Sequence, residues 1–265
     1  MPVLNALPHR PGSASRKPGP KPAFPYDELF FRHVERSATS AAPEFLARVE
    51  LGLRLGSLLD VGCGRGSWLQ AWRDFGVAEI FGVDAPELNP ESLLIPRSAF
   101  APHDIGLPFD LGRTFDLVVC LEVAEHLPPS RSQTLLENLA RHGDHILFSA
   151  ATPGQGGAHH VNERPLSHWA DRFAALGFRC FDAIRPQLRQ ARRIEPWYRF
   201  NTLLFVRRGA MLPDLEGLLA TERRPGEPLR DFASIWWKSR NTLLRLLPST
   251  WVHRLACLKH RWHDS

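Results

Sequence analysis

Cysteine is scarce: the chain of 265 residues has 4. Cys63, Cys120, Cys180 and Cys257 stand far apart and form no C-x-x-C pair. That spacing excludes a disulfide framework and a cysteine zinc site, and it fits a reducing, cytoplasmic setting. Long apolar runs are missing too. Nothing approaches the ~18 residues that a membrane span requires, and Pro2, Pro8 and Pro11 stand where a signal peptide would need an apolar core. A soluble protein is the expectation. No internal repeat is visible. Acids are absent from residues 1–25, whose balance is +4, and residues 234–265 carry +5, which leaves −4 on the stretch between. A mildly acidic body with two basic ends excludes a surface that coats nucleic acid, although the ends can still reach a phosphate backbone or an anionic membrane.

With 43% hydrophobic and 23% charged residues, the chain can bury a full core. Residues 1–25 hold seven prolines among Gly, Ser and Lys, so they read as a disordered basic arm outside the fold. Residues 26–210 form the expected domain, and 211–265 a C-terminal basic extension rich in Trp and Leu. Two helices are predicted between Tyr26 and Leu53, the second with Pro43 in its first turn. Apolar runs then follow at Ser57–Val61, Glu79–Asp84, Phe115–Leu121, His145–Phe148, Phe178–Ile184 and Thr202–Val206, with a weaker one at Ser98–Pro102. Helical stretches at Ser67–Phe75, Ser130–Arg141 and Pro165–Leu176 alternate with them. Continuous apolar strands separated by helices imply an α/β sandwich, a seven-stranded, mostly parallel sheet with helices on both faces.

The strongest motif is Leu58-Leu59-Asp60-Val61-Gly62-Cys63-Gly64-Arg65-Gly66, a strand running into alternate glycines and then a helix. Such glycines let a ligand press against the backbone at a helix N-terminus. The spacing is G-x-G-x-G, not the G-x-G-x-x-G of dinucleotide sites, and Asp60 lies two residues before it. An acid there repels pyrophosphate and suits a cofactor carrying ammonium and sulfonium. The next run ends at Asp84, 18 residues beyond Gly66, where a carboxylate can accept hydrogen bonds from ribose hydroxyls. Read without a ligand, the same residues make a tight turn and a surface acid.

On these residues the chain resembles the class I S-adenosylmethionine-dependent methyltransferases, over about Ser57 to Arg207. Within them it is similar to a bacterial group of small methyltransferases with the signature Thr152-Pro153-Gly154-Gln155-Gly156-Gly157 and His160-Val161-Asn162-Glu163. The resemblance implies a Rossmann-like sandwich and S-adenosyl-L-methionine held by Asp60, Gly62, Cys63, Gly64, Gly66, Asp84 and Glu122. It also implies Asp104 near the adenine amino group, flanked by His103 and Ile105; in His-Asp-Ile-Gly the same aspartate can equally be a turn cap.

After the fourth main strand comes Glu122-Val123-Ala124-Glu125-His126. On a helical turn, positions i, i+3 and i+4 share a face, so Glu122, Glu125 and His126 could together bind a divalent cation, with His160 as a fourth ligand. The pattern resembles metal-dependent 2′-O-methyltransferases of small RNAs and ubiquinone-pathway O-methyltransferases, although no extended RNA-binding domain is visible. Without a metal, His126 or His160 can serve as the proton acceptor and Glu122 can orient the cofactor. The glycines of 152–157 suit a mobile lid. Trp169 and Phe173 are expected in the core, whereas Trp197 and Tyr198 could floor an acceptor pocket or pack. The expected catalytic set is Glu122, His126 and His160, acting on a small metabolite or sugar hydroxyl. RNA methylation with the basic ends on phosphates, a non-catalytic interaction module anchored by Trp236, Trp237, Trp251 and Trp262, and peripheral membrane contact of the tail complete the readings.

Overall fold

The computed structural model describes residues 28–247 and Trp251, with side chains from Ser37 onward. The N-terminal arm, Pro248 and Trp262 lie outside the described residues. In chain order the elements are α1 (Glu28–Leu46), β1 (Ser57–Val61), α2 (Ser67–Asp74), β2 (Glu79–Asp84), β3 (Phe100–Pro102), β4 (Leu117–Leu121), α3 (Ser132–His142), β5 (His145–Ser149), α4 (Leu166–Ala175), β6 (Phe178–Phe181), α5 (Ile184–Leu188), α6 (Pro196–Asn201), β7 (Leu203–Arg207), β8 (Glu222–Arg223) and α7 (Ile235–Arg245). The eight strands form one sheet in the order β3-β2-β1-β4-β5-β7-β6-β8. β7 and β8 run against the other six.

The sheet is doubly wound because its strand residues alternate between two cores. Leu58, Leu117, Val119, Leu147 and Leu204 face one side, with Phe45 of α1, Trp68 and Trp72 of α2, Leu188 of α5 and Tyr198 of α6. Leu59, Val118, Cys120, Phe148 and Phe205 face the other, with Leu135, Leu136 and Leu139 of α3 and Trp169 and Phe173 of α4. The side-chain period of two along a strand makes this partition automatic once both faces are apolar. Phe173 stacks on Phe205 with centroids 4.1 Å apart, and full burial of each such ring contributes about 1.5–3 kcal/mol. Trp169 and Phe173 are therefore core, as their spacing suggested.

Three expectations are corrected. One continuous helix, not two, precedes β1: Pro43 lies inside α1, where buried Ala41, Ala42, Phe45 and Leu46 hold the turns on both sides against the core despite the missing N–H. The sheet has an eighth strand, because Glu222 and Arg223 pair with Phe181 and Cys180 along the backbone while their side chains form ion pairs with Arg179 and Asp171. The run Phe178–Ile184 stops as a strand at Phe181, and Ile184 opens α5.

β1 lies between β2 and β4, with Asp60 in register with Gly82 on one side and Val119 on the other. The chain crosses to opposite edges of the sheet from this pair, and such a reversal opens a crevice beyond the carboxyl ends of the strands. Asp60, Asp84, Glu122 and the loop after β5 all fall at that end.

Candidate active site

The glycine turn takes the shape its sequence requires. Gly62, Gly64 and Gly66 have φ of 83°, 54° and 91°, values that L side chains rarely adopt. A Cβ on Gly62 would meet Val123 Cγ2 at 2.5 Å, whereas one on Gly64 would meet nothing within 4 Å. Gly64 thus presents bare backbone to open space. Cys63 is buried beneath the turn, where its amide donates to the Val83 carbonyl and its Sγ fills the gap beside Gly82.

Two carboxylates flank this turn, Asp60 buried and Asp84 half-buried. The Gly64 amide donates to Asp84 Oδ2 at 2.6 Å and the Ala85 amide to Oδ1 at 2.6 Å. Burial raises the Asp84 pKa while these two amides oppose it. Asp60 is only 3% exposed, and burial, reinforced by the charge of Asp84, pushes its pKa up to about 8. Two acids crowded in a low-dielectric corner seek a positive partner.

Asp104 takes the turn-cap position: its Oδ1 accepts from the Gly106 amide at 3.0 Å, and its Oδ2 pairs with Arg131 at 2.8 Å. Beside it, His103 stacks on Phe109 with centroids 5.2 Å apart.

Glu122 follows β4 with φ of 55°, a conformation costly for glutamate. Its amide is drawn there by the Ser149 carbonyl at 3.0 Å and hydroxyl at 3.1 Å. The left-handed residue breaks the strand before a 3-10 turn at Ala124–His126, so Glu122, Glu125 and His126 do not share a helical face as the spacing suggested. Glu122 instead accepts from Gln155 Nε2 at 2.7 Å and Asn201 Nδ2 at 3.3 Å, and Asn201 also donates to Gln155 Oε1 at 2.9 Å. Burial raises the Glu122 pKa against the pull of these amides.

The groups that do converge are Glu125, His126 and His160, whose ligand atoms lie within 4.8 Å of one another. Glu122, expected among the ligands, lies outside this set because its carboxylate is turned to the amide pair. Glu125 is fully buried, and among the described residues neither carboxylate oxygen has a hydrogen-bond partner that meets ordinary geometry. Burial, then the nearby Glu122 charge, raises its pKa well above the carboxylate range. His126 crosses the His160 ring edge-on at 5.0 Å, and burial with its histidine neighbours lowers its pKa to about 3. Neutral imidazole is therefore its state at physiological pH.

Glu163 organises the loop above this cluster. Its carboxylate accepts from the amides of Gly154 and Gly156, both at 2.7 Å, and lies 2.9 Å from His160 Nδ1. Burial opposes its charge, yet His160 and the two amides hold its pKa below the usual value. The amides of Val161 and Asn162 donate to the Glu125 carbonyl, so the loop is stitched to the turn it covers. The expected mobile lid is further held by α7, where Arg240 donates to the Gln155 carbonyl at 2.7 Å and Arg245 to that of Pro153 at 2.8 Å. Gly154 and Gly157 accept the close approach of Asn241 and the His160 ring. Tyr198 packs edge-on against Trp68 at 5.1 Å and is buried, so it belongs to the core side of α6.

Sequence reasoning assigned no role to Ser149, Gln155, Asn201 or Glu163 as individual residues. The available signal was polar side chains directly after apolar strands or between glycines, where burial obliges them to find partners.

A doubly wound sheet with a glycine turn and paired acids at its switch point defines a nucleoside-binding class of fold, and the comparisons specify which. Residues 30–197 match the family described as methyltransferase domain, which is more than half of the chain, and the chain belongs to that family. Among solved structures, it is similar to the mitomycin 7-O-methyltransferase MmcR at 16% identity and a TM-score of 0.50, covering 68% of this chain and 57% of that one. It is also similar to the glycopeptide N-methyltransferase MtfA complexed with (S)-adenosyl-L-methionine, at 20% identity and a TM-score of 0.37, covering 44% of this chain and 55% of that one. A third is the plantazolicin methyltransferase BpumL, at 16% identity and a TM-score of 0.45, covering 68% and 86%. The chain thus spans little more than half the length of MtfA and MmcR, and the likeness at these identities is one of fold. No curated protein matches. No helix among the described residues is long and apolar enough to cross a membrane.

Proposed function

We propose that this methyltransferase uses S-adenosyl-L-methionine and methylates a hydroxyl of a small metabolite or sugar-containing acceptor. The observation that carries the cofactor is the pair of acids, buried Asp60 and half-buried Asp84, on either side of a left-handed glycine turn whose Gly64 faces open space. Asp84 keeps lone pairs beyond the two amides it already accepts, enough for two ribose hydroxyls. Asp60, neutral while buried without a counter-charge, ionises against a cation. When bound, the cofactor supplies a methyl group activated by its sulfonium. Glu122, fixed by Gln155 and Asn201, orients what lies beyond β4, and His126 or His160 takes the proton that the acceptor hydroxyl gives up. Most of the acceleration comes from orientation, with proton transfer a smaller contribution.

The same cluster fits a divalent cation. Glu125, His126 and His160 offer one carboxylate and two imidazoles within 4.8 Å of each other, and Glu163 fixes the ring of His160 from its other nitrogen, the usual way such a ligand is oriented. A cation there would lower the pKa of the acceptor hydroxyl. In this reading residues 26–210 are the catalytic unit and 211–265 an extension that braces its loop. Membership in the bacterial group with the Thr152–Gly157 signature and residence in a reducing cytoplasm belong to the same proposal; the latter is supported by three free, buried cysteines, Cys63, Cys120 and Cys180.

The test follows tritium from labelled S-adenosyl-L-methionine into sugar and phenol acceptors, with Mn²⁺, Mg²⁺ or chelator. The proposal expects transfer that falls at least tenfold in Asp84→Ala, and in Glu125→Gln loses its response to metal. Labelled acceptor formed equally by all three proteins would overturn the site.

A further inference from the structure

Helix α7 has two faces, and the cofactor reading uses neither of them directly. Its inner face carries Trp237 and Asn241, both buried, with Arg240 and Arg245 reaching the backbone of the glycine loop. Its outer face carries Ile235, Trp236, Leu243 and Leu246, which are 84%, 71%, 64% and 77% exposed. At 100° per residue these four fall within about a third of the helix circumference. Leu247 and Trp251, also exposed, prolong the series toward the C-terminus.

Large apolar side chains do not remain contiguous on a surface without a partner or an interface. The charges around the stripe say which. The helix IWWKSRNTLLR contains Lys238, Arg240 and Arg245 and no acid. Lys238 pairs with Asp231 at 2.8 Å, an exposed contact that competes weakly with other anions. From Ser234 to the end of the chain six bases face one acid, Asp264, whereas the body carries −4. An anionic layer would therefore attract this end and repel the rest, fixing one orientation. On α7 itself Arg240 and Arg245 are turned to the glycine loop, so the base that the helix leaves beside the stripe is Lys238; with Arg254, Lys259 and Arg261 following in the sequence, Trp and Leu interleaved with bases are the composition of a segment that lies in a lipid headgroup region.

We propose that the outer face of α7 docks on an anionic lipid bilayer while its inner face holds the loop at Pro153–Gln155. The helix then links lipid contact to the order of the loop over the Glu125, His126 and His160 cluster, and it presents the crevice to acceptors at or near the membrane. This inference rests on the surface of α7 and stands independently of the cofactor assignment.

The full chain is sedimented with vesicles of phosphatidylcholine alone and with phosphatidylglycerol added, at low and high salt. Wild type should partition onto the anionic vesicles and be released by salt, and Trp236→Glu with Leu243→Glu should lower the partition on the order of tenfold or more. Both sites are exposed, so thermal unfolding of the variant should match wild type, and limited proteolysis of the 152–157 loop should slow on anionic vesicles for wild type alone. No sedimentation of wild type, or equal sedimentation of the variant, overturns the proposal. So does a dimer, seen by light scattering, that the variant abolishes in place of vesicle binding, because the face would then serve a second copy.

Discussion

Replacing Asp60 by asparagine changes little charge in the ligand-free protein at neutral pH, but removes the one that a bound cation would call up. With a pKa near 8, caused by burial and then by Asp84, the aspartic acid is mostly protonated at pH 7. A raised carboxyl pKa has a defined sign. The group favours the folded, ligand-free protein fully below its unfolded value near 3.8, and this contribution is lost as pH rises until it levels off above 8. A cation bound beside it reverses the preference, so ligand affinity should rise over the upper part of that window and release a proton. If the bound form is fully ionised, 1.36 kcal/mol per pH unit below the pKa translates into an affinity gain of roughly 25-fold between pH 6.5 and 8.5. Comparison with Asp60→Asn at each pH cancels titration of the ligand itself. Calorimetry of S-adenosyl-L-methionine in buffers of different ionisation enthalpy should give close to one proton released by wild type at pH 7, and none from this site in the variant. A pH-independent affinity ratio, or equal proton release by both proteins, would refute the reasoning.

Gly82→Ala would place a Cβ 2.6 Å from Cys63 Sγ and 2.8 Å from Leu69 Cδ1, and should cost about 1–3 kcal/mol by overpacking, read as a lower thermal midpoint. Arg185 is 3% exposed, forms two contacts with Asp182 and donates to the carbonyls of Phe200 and Arg230. Arg185→Ala strands the Asp182 carboxylate and should cost about 3–5 kcal/mol in urea unfolding. Glu163→Gln keeps the size of the side chain but loses the charge that two glycine amides and His160 share; protease cleavage within 152–157 should accelerate several-fold, with global stability lowered by only about 1–3 kcal/mol.

The frame of the fold is readable because burial on both faces leaves a distinct record. Ser57–Val61 and Glu79–Asp84 are strands at the bounds their apolar runs suggest. Two charged residues at the edge of a sheet, held by ladder hydrogen bonds and ion pairs, leave no such apolar record, which is why Glu222–Arg223 escapes detection as a strand. In the site, the glycine turn and Asp84 are legible because they depend on local geometry. The conformation of Glu122 is not. A glutamate at φ 55° contradicts local preference and follows from Ser149, 27 residues away in sequence. That residue diverts Glu122 from the helical face its spacing with Glu125 suggests and hands it to Gln155 and Asn201. Likewise the glycines of 152–157 read as freedom in sequence but serve close contact with Asn241 and His160, and only tertiary packing distinguishes the two.

The most direct measurement is calorimetric titration of S-adenosylhomocysteine into the full chain and into Asp84→Ala, with thermal unfolding to show that both are folded. The account predicts one site per chain in wild type and an affinity at least tenfold weaker in the variant. Failure of folded wild type to bind the nucleoside, or binding untouched by loss of the Asp84 carboxylate, would contradict it.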